Sequence, residues 1–154
     1  MPAFAVWPGH LALGTNYDKP LSTLDLLPTF VAAAGGNATA IPDLDGVDML
    51  PYLNGTNSGR PHQTLYWREE SRAAIRDGDW KLIRFMDRPA ELYDLAKDYA
   101  EENDLAVANP TVVRELYKKL FAWELTLERP LFQLKKLYEG RAVERLDKFR
   151  KQYP

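Results

Sequence analysis

The sequence predicts an α+β fold: a small antiparallel sheet of three to four strands, packed by a C-terminal helix and preceded by a strand and a helix. Three observations support this prediction. Asp77-Gly78 is a turn pair typical of β-hairpins. Apolar residues recur at helical spacing after Pro110, and a shorter apolar helix pattern follows Ser22. Strand and helix signals therefore lie in separate stretches of the chain, which is typical of an α+β domain.

The composition excludes several classes of function. The 154 residues carry 20 Lys and Arg against 22 Asp and Glu, so the formal net charge is −2 and no basic face for nucleic acid is expected. No apolar run approaches the ~18 residues of a membrane-spanning helix. The chain has no Cys, which excludes disulfides and a cysteine nucleophile, and its two His are too few for a His-rich metal site. We expect neither a nucleic-acid nor a membrane partner.

Residues 1–36 are predicted to form a strand and a helix. Ala3–Trp7 is an apolar run that ends in a Pro-Gly turn, as a short buried strand would. It lacks the basic flank of a signal peptide. Ser22 and Asp25 have the spacing of a capping box, in which each residue caps the other at a helix start. The apolar positions that follow at helical spacing are Leu24, Leu27, Val31 and Ala34.

Residues 37–63 are rich in Gly, Pro, Asn, Asp and Thr and predict a long connecting loop. One short helical turn is expected within Asp48–Leu53. Asp43, Asp45 and Asp48 offer oxygen ligands of the kind calcium prefers, but they lack the spacing and the terminal Glu of an EF-hand loop. A turn-forming role is the favoured interpretation, so no metal site is assigned to this chain.

Residues 64–130 are predicted to form the sheet and its helix. Thr64–Arg68 and Glu91–Leu95 favour strands on either side of the Asp77-Gly78 hairpin. Pairing outward from that turn predicts three cross-strand pairs: Arg76 with Asp79, Ile75 with Trp80, and Ala74 with Lys81.

The longest helix is predicted from Pro110 to about Leu127, after the N-cap residue Asn109. Its apolar stripe, which we expect to cover the sheet, consists of Val113, Leu116, Leu120, Trp123 and Leu127. We expect Trp80, Leu116, Leu120 and Trp123 to be largely buried. Residues 131–154 then form a basic tail with seven Lys or Arg against three Asp or Glu.

Few residues qualify as functional candidates. His62 is either a general acid or base or, as we favour, a hydrogen-bonded loop histidine, because no carboxylate or nucleophile is spaced to orient it. Lys81 and Arg84 are cations within reach of an anionic substrate in a neighbouring cleft, or else solvated strand charges. The aromatic residues suit a sugar-stacking platform or, by their spacing, the core. They are Tyr66, Trp67, Trp80, Tyr93 and Trp123.

The order of several motifs nevertheless resembles the downstream part of the sulfatase family. The matching segments are Pro2–His10, Ser22–Phe30 with Ala34-Gly35, Leu44–Leu53, Ala74–Ile83, Glu91–Leu95 and Asp98–Ala106. Each motif is weak alone, but together they make the resemblance specific over residues 2 to about 127. Tyr99 stands where the family usually has Pro, which affects one turn. The tail beyond Pro130 matches no motif of the family.

This resemblance implies an arylsulfatase-like enzyme that hydrolyses sulfate esters with a calcium ion and a formylglycine nucleophile. It implies that residues 1–36 end an alkaline-phosphatase-like α/β domain and that residues 64–130 are the C-terminal subdomain. The formylglycine arises in a C/S-x-P-S/A-R motif, which this sequence lacks, and the calcium carboxylates lie upstream of the matching segments. No catalytic, cofactor-binding or metal-binding residue is therefore assigned to this chain; His62, Lys81 and Arg84 remain candidates for substrate proximity.

Two functions follow as hypotheses. The first is the C-terminal part of a sulfatase, which shapes substrate access beside an upstream catalytic domain and is inactive alone. The alternative is a non-catalytic binding module for sulfated glycans. In the chain on its own, the strand and helix of residues 3–35 would lack their usual partners, and the apolar surface left exposed predicts a homodimer.

Overall fold

The computed structural model describes residues 3–69 and 72–128, together with residues 141, 144, 147 and 148. Contacts divide the chain into two units, Met1–Gln63 and Thr64–Pro154. Most of the basic tail predicted over residues 131–154 lies outside the described residues. None of the described helices has the length and apolar character that crossing a bilayer requires.

The first unit contains two short helices and two 3-10 turns. Its elements in chain order are a 3-10 turn at Thr23–Asp25, α1 at Leu26–Ala33, a 3-10 turn at Ala38–Ala40 and α2 at Leu50–Leu53. The predicted capping box is confirmed, with Ser22 and Asp25 each capping the other's backbone. Asp48 Oδ1 accepts a hydrogen bond from Leu50 N–H at 2.9 Å, a turn-forming role at the start of α2.

The prediction of a strand over Ala3–Trp7 is wrong. These residues form irregular chain, in which Phe4 and Val6 are 96% and 79% exposed. A strand requires a neighbour that pairs with its N–H and C=O groups, and residues 3–63 contain no strand. The apolar composition of the run is therefore not enough to make it extended and paired.

The second unit is a four-stranded antiparallel sheet in the order β1-β2-β3-β4, with one long helix. Its elements are β1 at Thr64–Glu69, β2 at Arg72–Asp77, β3 at Trp80–Phe85, β4 at Glu91–Asp94 and α3 at Pro110–Glu124. The helix α3 packs against β2 and β3. The predicted α+β class is confirmed.

The β2–β3 hairpin has a different register from the one predicted. Asp77 pairs with Trp80 and Ile75 pairs with Leu82, so the turn residues are Gly78 and Asp79. Gly78 has φ 60°, which fits a turn with glycine at its first central position. This register places two fully buried side chains, Ile75 and Leu82, opposite each other. The register differs by two residues, which is one full period of side-chain alternation. Each residue therefore lies on the predicted face of the sheet, but its cross-strand partner is different.

Both faces of the sheet carry apolar clusters. On the α3 face, the buried residues are Ala73, Ile75, Leu82, Ala90, Leu92, Leu116 and Leu120. The predicted burial of Leu116 and Leu120 is confirmed, whereas Trp80 and Trp123 are half-buried at the margin of this cluster. Ile83, Phe85 and Tyr93 form a second cluster, and their positions in the register place them on the opposite face. Each face of the sheet thus carries buried apolar side chains.

Candidate functional site

A buried carboxylate, Asp25, organises the first unit. Its side chain is fully buried and accepts hydrogen bonds through both oxygens. Oδ2 accepts from Ser22 N–H at 2.7 Å and Oδ1 accepts from Val47 N–H at 2.9 Å. His62 Nε2 lies 2.7 Å from the same Oδ1. One carboxylate therefore joins the start of the helix, the connecting loop and the segment just before the sheet.

Two neighbouring residues hold the loop against the same helix start. Thr29 Oγ1 donates to the Asp25 carbonyl oxygen at 2.6 Å and accepts from Met49 N–H at 2.9 Å. A Cβ atom at Gly46 would lie 2.0 Å from the carbonyl oxygen of Leu24, so no other residue fits there without a shift of the backbone. Asp25 and Thr29 thus hold the loop segment Gly46–Met49 by hydrogen bonds, and Gly46 allows the two backbones to approach closely.

His62 has the carboxylate partner that the sequence spacing did not reveal. The histidine side chain is 11% exposed and lies 37 residues from Asp25 along the chain. The contact joins an imidazole ring nitrogen to a carboxylate oxygen within hydrogen-bond distance. A carboxylate orients an imidazole in this manner in catalytic and in structural pairs alike. The hydrogen-bonded character predicted for His62 agrees with this contact; its proximity to a substrate remains a prediction.

Lys81 and Arg84 lie three positions apart on β3 and consequently on opposite faces of the sheet. Lys81 Nζ forms an ion pair with Glu101. Arg84 Nη2 donates to Glu124 Oε1, at the end of α3, over 2.7 Å. The structure therefore does not bring these two cations together, and each has a carboxylate beside it. Their proximity to a substrate remains a prediction.

The surroundings of Arg84 include residues that the sequence did not single out. A cavity of about 450 Å3 is lined by Arg68, Arg84, Phe121, Glu124 and Leu125. Arg68 Nε lies 3.9 Å from Glu124 Oε1. Correct strand register would have predicted that the two arginines lie in one row, because both are paired with Ala73. The register predicted from Asp77-Gly78 differs from the observed one by two residues and therefore does not pair Arg84 with Ala73.

The aromatic candidates mostly belong to the core. Tyr66 and Trp123 stack with ring centroids 4.8 Å apart and pack, with Trp80, against the α3-face cluster. Burial raises the pKa of the Tyr66 hydroxyl. Tyr93 is buried in the second cluster, and Trp67 is 49% exposed. A continuous sugar-stacking platform is therefore not formed by these five rings.

Comparison with known proteins places this fold among sulfatases. The solved structure described as "Crystal structure of Ps i-CgsB" superposes with a TM-score of 0.73 at 28% identity, over 94% of this chain and 34% of that one. A putative sulfatase from Bacteroides thetaiotaomicron gives a TM-score of 0.56 at 26% identity, over 66% of this chain and 24% of that one. Arylsulfatase A of Homo sapiens is 35% identical over 147 residues, covering 75% of this chain and 28% of that protein.

These similarities define the class as the C-terminal part of sulfatases. The family described as N-sulphoglucosamine sulphohydrolase, C-terminal, matches residues 1–126, and the chain belongs to it. The resemblance identified from the ordered motifs is thereby confirmed. The chain spans between 24% and 34% of the length of the three proteins compared above.

Proposed function

We propose that the chain serves as the C-terminal part of a sulfatase, a sulfuric ester hydrolase, where it shapes substrate access to an upstream catalytic domain. By itself it would be inactive. The observation that carries this proposal is the match of residues 1–126 to a sulfatase C-terminal family. The alignment with human arylsulfatase A covers 28% of that protein.

The chemistry of the family supports inactivity of the isolated chain. The formylglycine nucleophile needs a Cys or Ser in the C/S-x-P-S/A-R motif, and this sequence contains neither a Cys nor that Ser motif. Within the described residues, no group of three or more His, Cys, Asp or Glu is arranged to hold a metal ion. Both oxygens of the Asp25 carboxylate accept backbone N–H groups, which is consistent with a structural role for this side chain. In this proposal the calcium site belongs to the upstream catalytic domain, where the resemblance places the family's calcium carboxylates.

The exposed apolar side chains of the first unit support the proposal that an upstream domain packs against it. Its exposed apolar side chains are Phe4, Val6, Leu13, Leu24, Leu27 and Phe30, each at least 52% exposed. Several large apolar side chains exposed in one small unit are typical of a surface that another protein surface covers. We propose that the catalytic domain covers it in the intact protein.

Two measurements test the proposal. Purified chain incubated with 4-methylumbelliferyl sulfate, with and without calcium, is expected to show no turnover. The coding sequence immediately upstream is expected to encode the C/S-x-P-S/A-R motif, and the joined product is expected to hydrolyse the same ester. Turnover by the chain alone that survives removal of contaminants, or an upstream frame without the motif, would overturn the proposal.

A further inference from the structure

The face of the sheet opposite α3 carries side chains that are more buried than a single sheet layer allows. Ile83 and Phe85 of β3 are each 6% exposed, and Tyr93 of β4 is 3% exposed. Among the described residues, the partly buried apolar side chains packed against them are Ala74 and Leu95. Ala74 is the cross-strand partner of Ile83, and Leu95 directly follows β4, so both belong to the sheet layer itself. A second layer must therefore cover this face.

The cover lies over β3 and β4 rather than over β1. Trp67 of β1 is paired with Ala74 and so lies on the same face, yet it is 49% exposed. The helix α3 does not supply the cover, because it packs on the other face, against the cluster that contains Ile75 and Leu82. The missing layer is therefore local to the half of the sheet formed by the last two strands.

One contact brings the C-terminal tail to this place. Arg88 lies in the loop between β3 and β4, and its guanidinium carbon is 4.0 Å from the ring centroid of Phe85. Its Nη1 and Nη2 donate to the two carboxylate oxygens of Asp147, at 2.8 and 2.9 Å. A bidentate pair of this kind fixes the orientation of both groups as well as their distance. Asp147 is therefore held at the edge of the covered face.

The described residues of the tail fit a helix with one covered side. Residues 141, 144, 147 and 148 are helical, and all are exposed except Asp147, which is half-buried. With about 3.6 residues per turn, the three exposed positions fall on one side of such a helix. The sequence has apolar residues at the positions opposite them, which are Ala142, Val143, Leu146 and Phe149. The tail thus carries an apolar stripe suited to cover a sheet.

The length of chain before Asp147 allows this course. Arg84 donates to Glu124, so α3 ends beside the end of β3, and Arg88 lies just beyond that end. The chain from Glu124 to Asp147 therefore leaves one end of the sheet and returns to it. Residues 125–146 would span about 33 Å as helix, which exceeds the distance across four strands and back, about 14 Å each way.

We propose that the face of the sheet opposite α3 is a docking surface for the chain's own basic tail, residues 131–154, anchored by the Arg88–Asp147 pair. The apolar stripe of the tail covers Ile83, Phe85 and Tyr93. This docking extends the second unit beyond residue 126, where the family match ends. It does not depend on the proposed sulfatase function.

Hydroxyl-radical labelling of the full chain, read by mass spectrometry relative to the unfolded chain, tests the proposal. In wild type, Phe85 and Tyr93 should be protected, whereas the exposed Trp67 should be labelled. Leu146→Asp places a charge in the apolar stripe and should raise labelling of Phe85 and Tyr93 about tenfold. Lys148→Asp, at an exposed tail position, is the matched control and should leave both protected.

A second pair of variants tests the anchor. Asp147→Ala should raise labelling of Phe85 several-fold, because Arg88 loses its bidentate partner. Glu144→Ala removes an exposed carboxylate from the same helix and should not. Leu120, fully buried on the α3 face, reports whether each variant keeps the sheet and α3 folded. If Leu146→Asp also exposes Leu120, the comparison of Asp147→Ala with Glu144→Ala decides.

Three results would overturn the proposal. Phe85 and Tyr93 labelled as fast as Trp67 in wild type would show that this face is open in the chain alone and awaits another domain. Protection that is lost on dilution of wild type would identify a second copy of the chain as the cover. Unchanged protection in both Leu146→Asp and Asp147→Ala would show that a different segment covers the face. None of these results bears on sulfate-ester hydrolysis by the joined protein, so the proposed function is tested separately.

Discussion

The two units of the chain are stabilised by different forces. In the second unit, Ile75, Leu82, Leu92 and Leu120 are completely buried, and both apolar clusters of the described residues belong to it. In the first unit, the most buried groups include a carboxylate and a hydroxyl, and large apolar side chains face outward. The second unit has the apolar core of an independent domain, whereas the first relies on hydrogen bonds around Asp25.

This difference has a consequence for how each unit responds to change. Hydrophobic burial is non-directional and tolerates small displacements, but a buried carboxylate needs all of its donors in place. The first unit should therefore lose its loop structure when a single polar atom is removed. The second should lose stability in proportion to the apolar volume removed.

The largest effect is expected in the sheet and its helix. Leu120→Ala removes a fully buried side chain from the α3-face cluster and should lower the free energy of unfolding by about 2–5 kcal/mol, because it leaves a cavity. Leu125→Ala, at an 87% exposed position just beyond α3, is the matched control and should change it by less than about 0.5 kcal/mol. Denaturant unfolding measures both. Equal effects would contradict the assignment of the core.

A smaller effect, confined to the first unit, is expected at Asp25. Asp25→Ala leaves the N–H groups of Ser22 and Val47 and the ring of His62 without their acceptor, at a cost of about 1–3 kcal/mol. Hydrogen exchange should show lost protection at Val47 and unchanged protection in β2 and β3.

The control is Asp45→Ala, which removes an exposed carboxylate from the same loop. It should leave exchange at Val47 unchanged. Equal loss of protection throughout the sheet in Asp25→Ala would show that the two units unfold together and are not stabilised separately.

The exposed apolar surface of the first unit predicts self-association of the isolated chain as a homodimer. Burying apolar area contributes roughly 25 cal/mol per Å2, so a few hundred Å2 favours pairing before association costs. Replacing Leu27 or Phe30 by Ser should raise the dissociation constant about tenfold. Val107→Ser, at a 95% exposed position in the second unit, should not. Light scattering over a concentration series decides, and a monomer mass at high concentration would refute the expectation.

The smallest effect concerns pH and the loop after β4. The backbone N–H groups of Glu102 and Asn103 donate to Asp98 and hold the pKa of its carboxyl below the ordinary value. Because the pKa of Asp98 is lower in the folded state, its carboxylate stabilises the fold at pH values above the unfolded-state pKa. This contribution is lost as the pH falls through the folded-state pKa.

Asp98→Asn should therefore lower the unfolding temperature slightly at pH 7, and the difference from wild type should vanish in strong acid. Thermal melts at about pH 7 and about pH 2 measure this. A difference of the same size at both pH values would show that the carboxylate charge is not its cause.

Local chemistry made several elements predictable. Ser22 and Asp25 carry their capping function in a four-residue pattern, and Asn109-Pro110 marks the start of α3 where the structure has it. Leu116 and Leu120 follow from helical periodicity, because one face of a helix on a sheet must be buried. The family was predictable for another reason, namely that several short motifs occur in a fixed order.

The sequence did not determine which partners residues meet across the fold. Nothing local indicates that Asp25 would bind His62, because the contact joins positions 37 residues apart. The strand over Ala3–Trp7 was mispredicted because an apolar run becomes a strand only beside another one.

The hairpin shows the same limit at short range. Asp77-Gly78 indicated a turn with positive φ at both residues, but in the structure Asp77 does not have a positive φ. The observed register, two residues away, pairs the fully buried Ile75 with Leu82. That register in turn aligned Arg68, Ala73 and Arg84 in one row. The residue types and their periodicity were set by the sequence alone. The juxtaposition of the two arginines over Ala73 was decided by tertiary structure, because the packing of both sheet faces fixes which strand positions face each other.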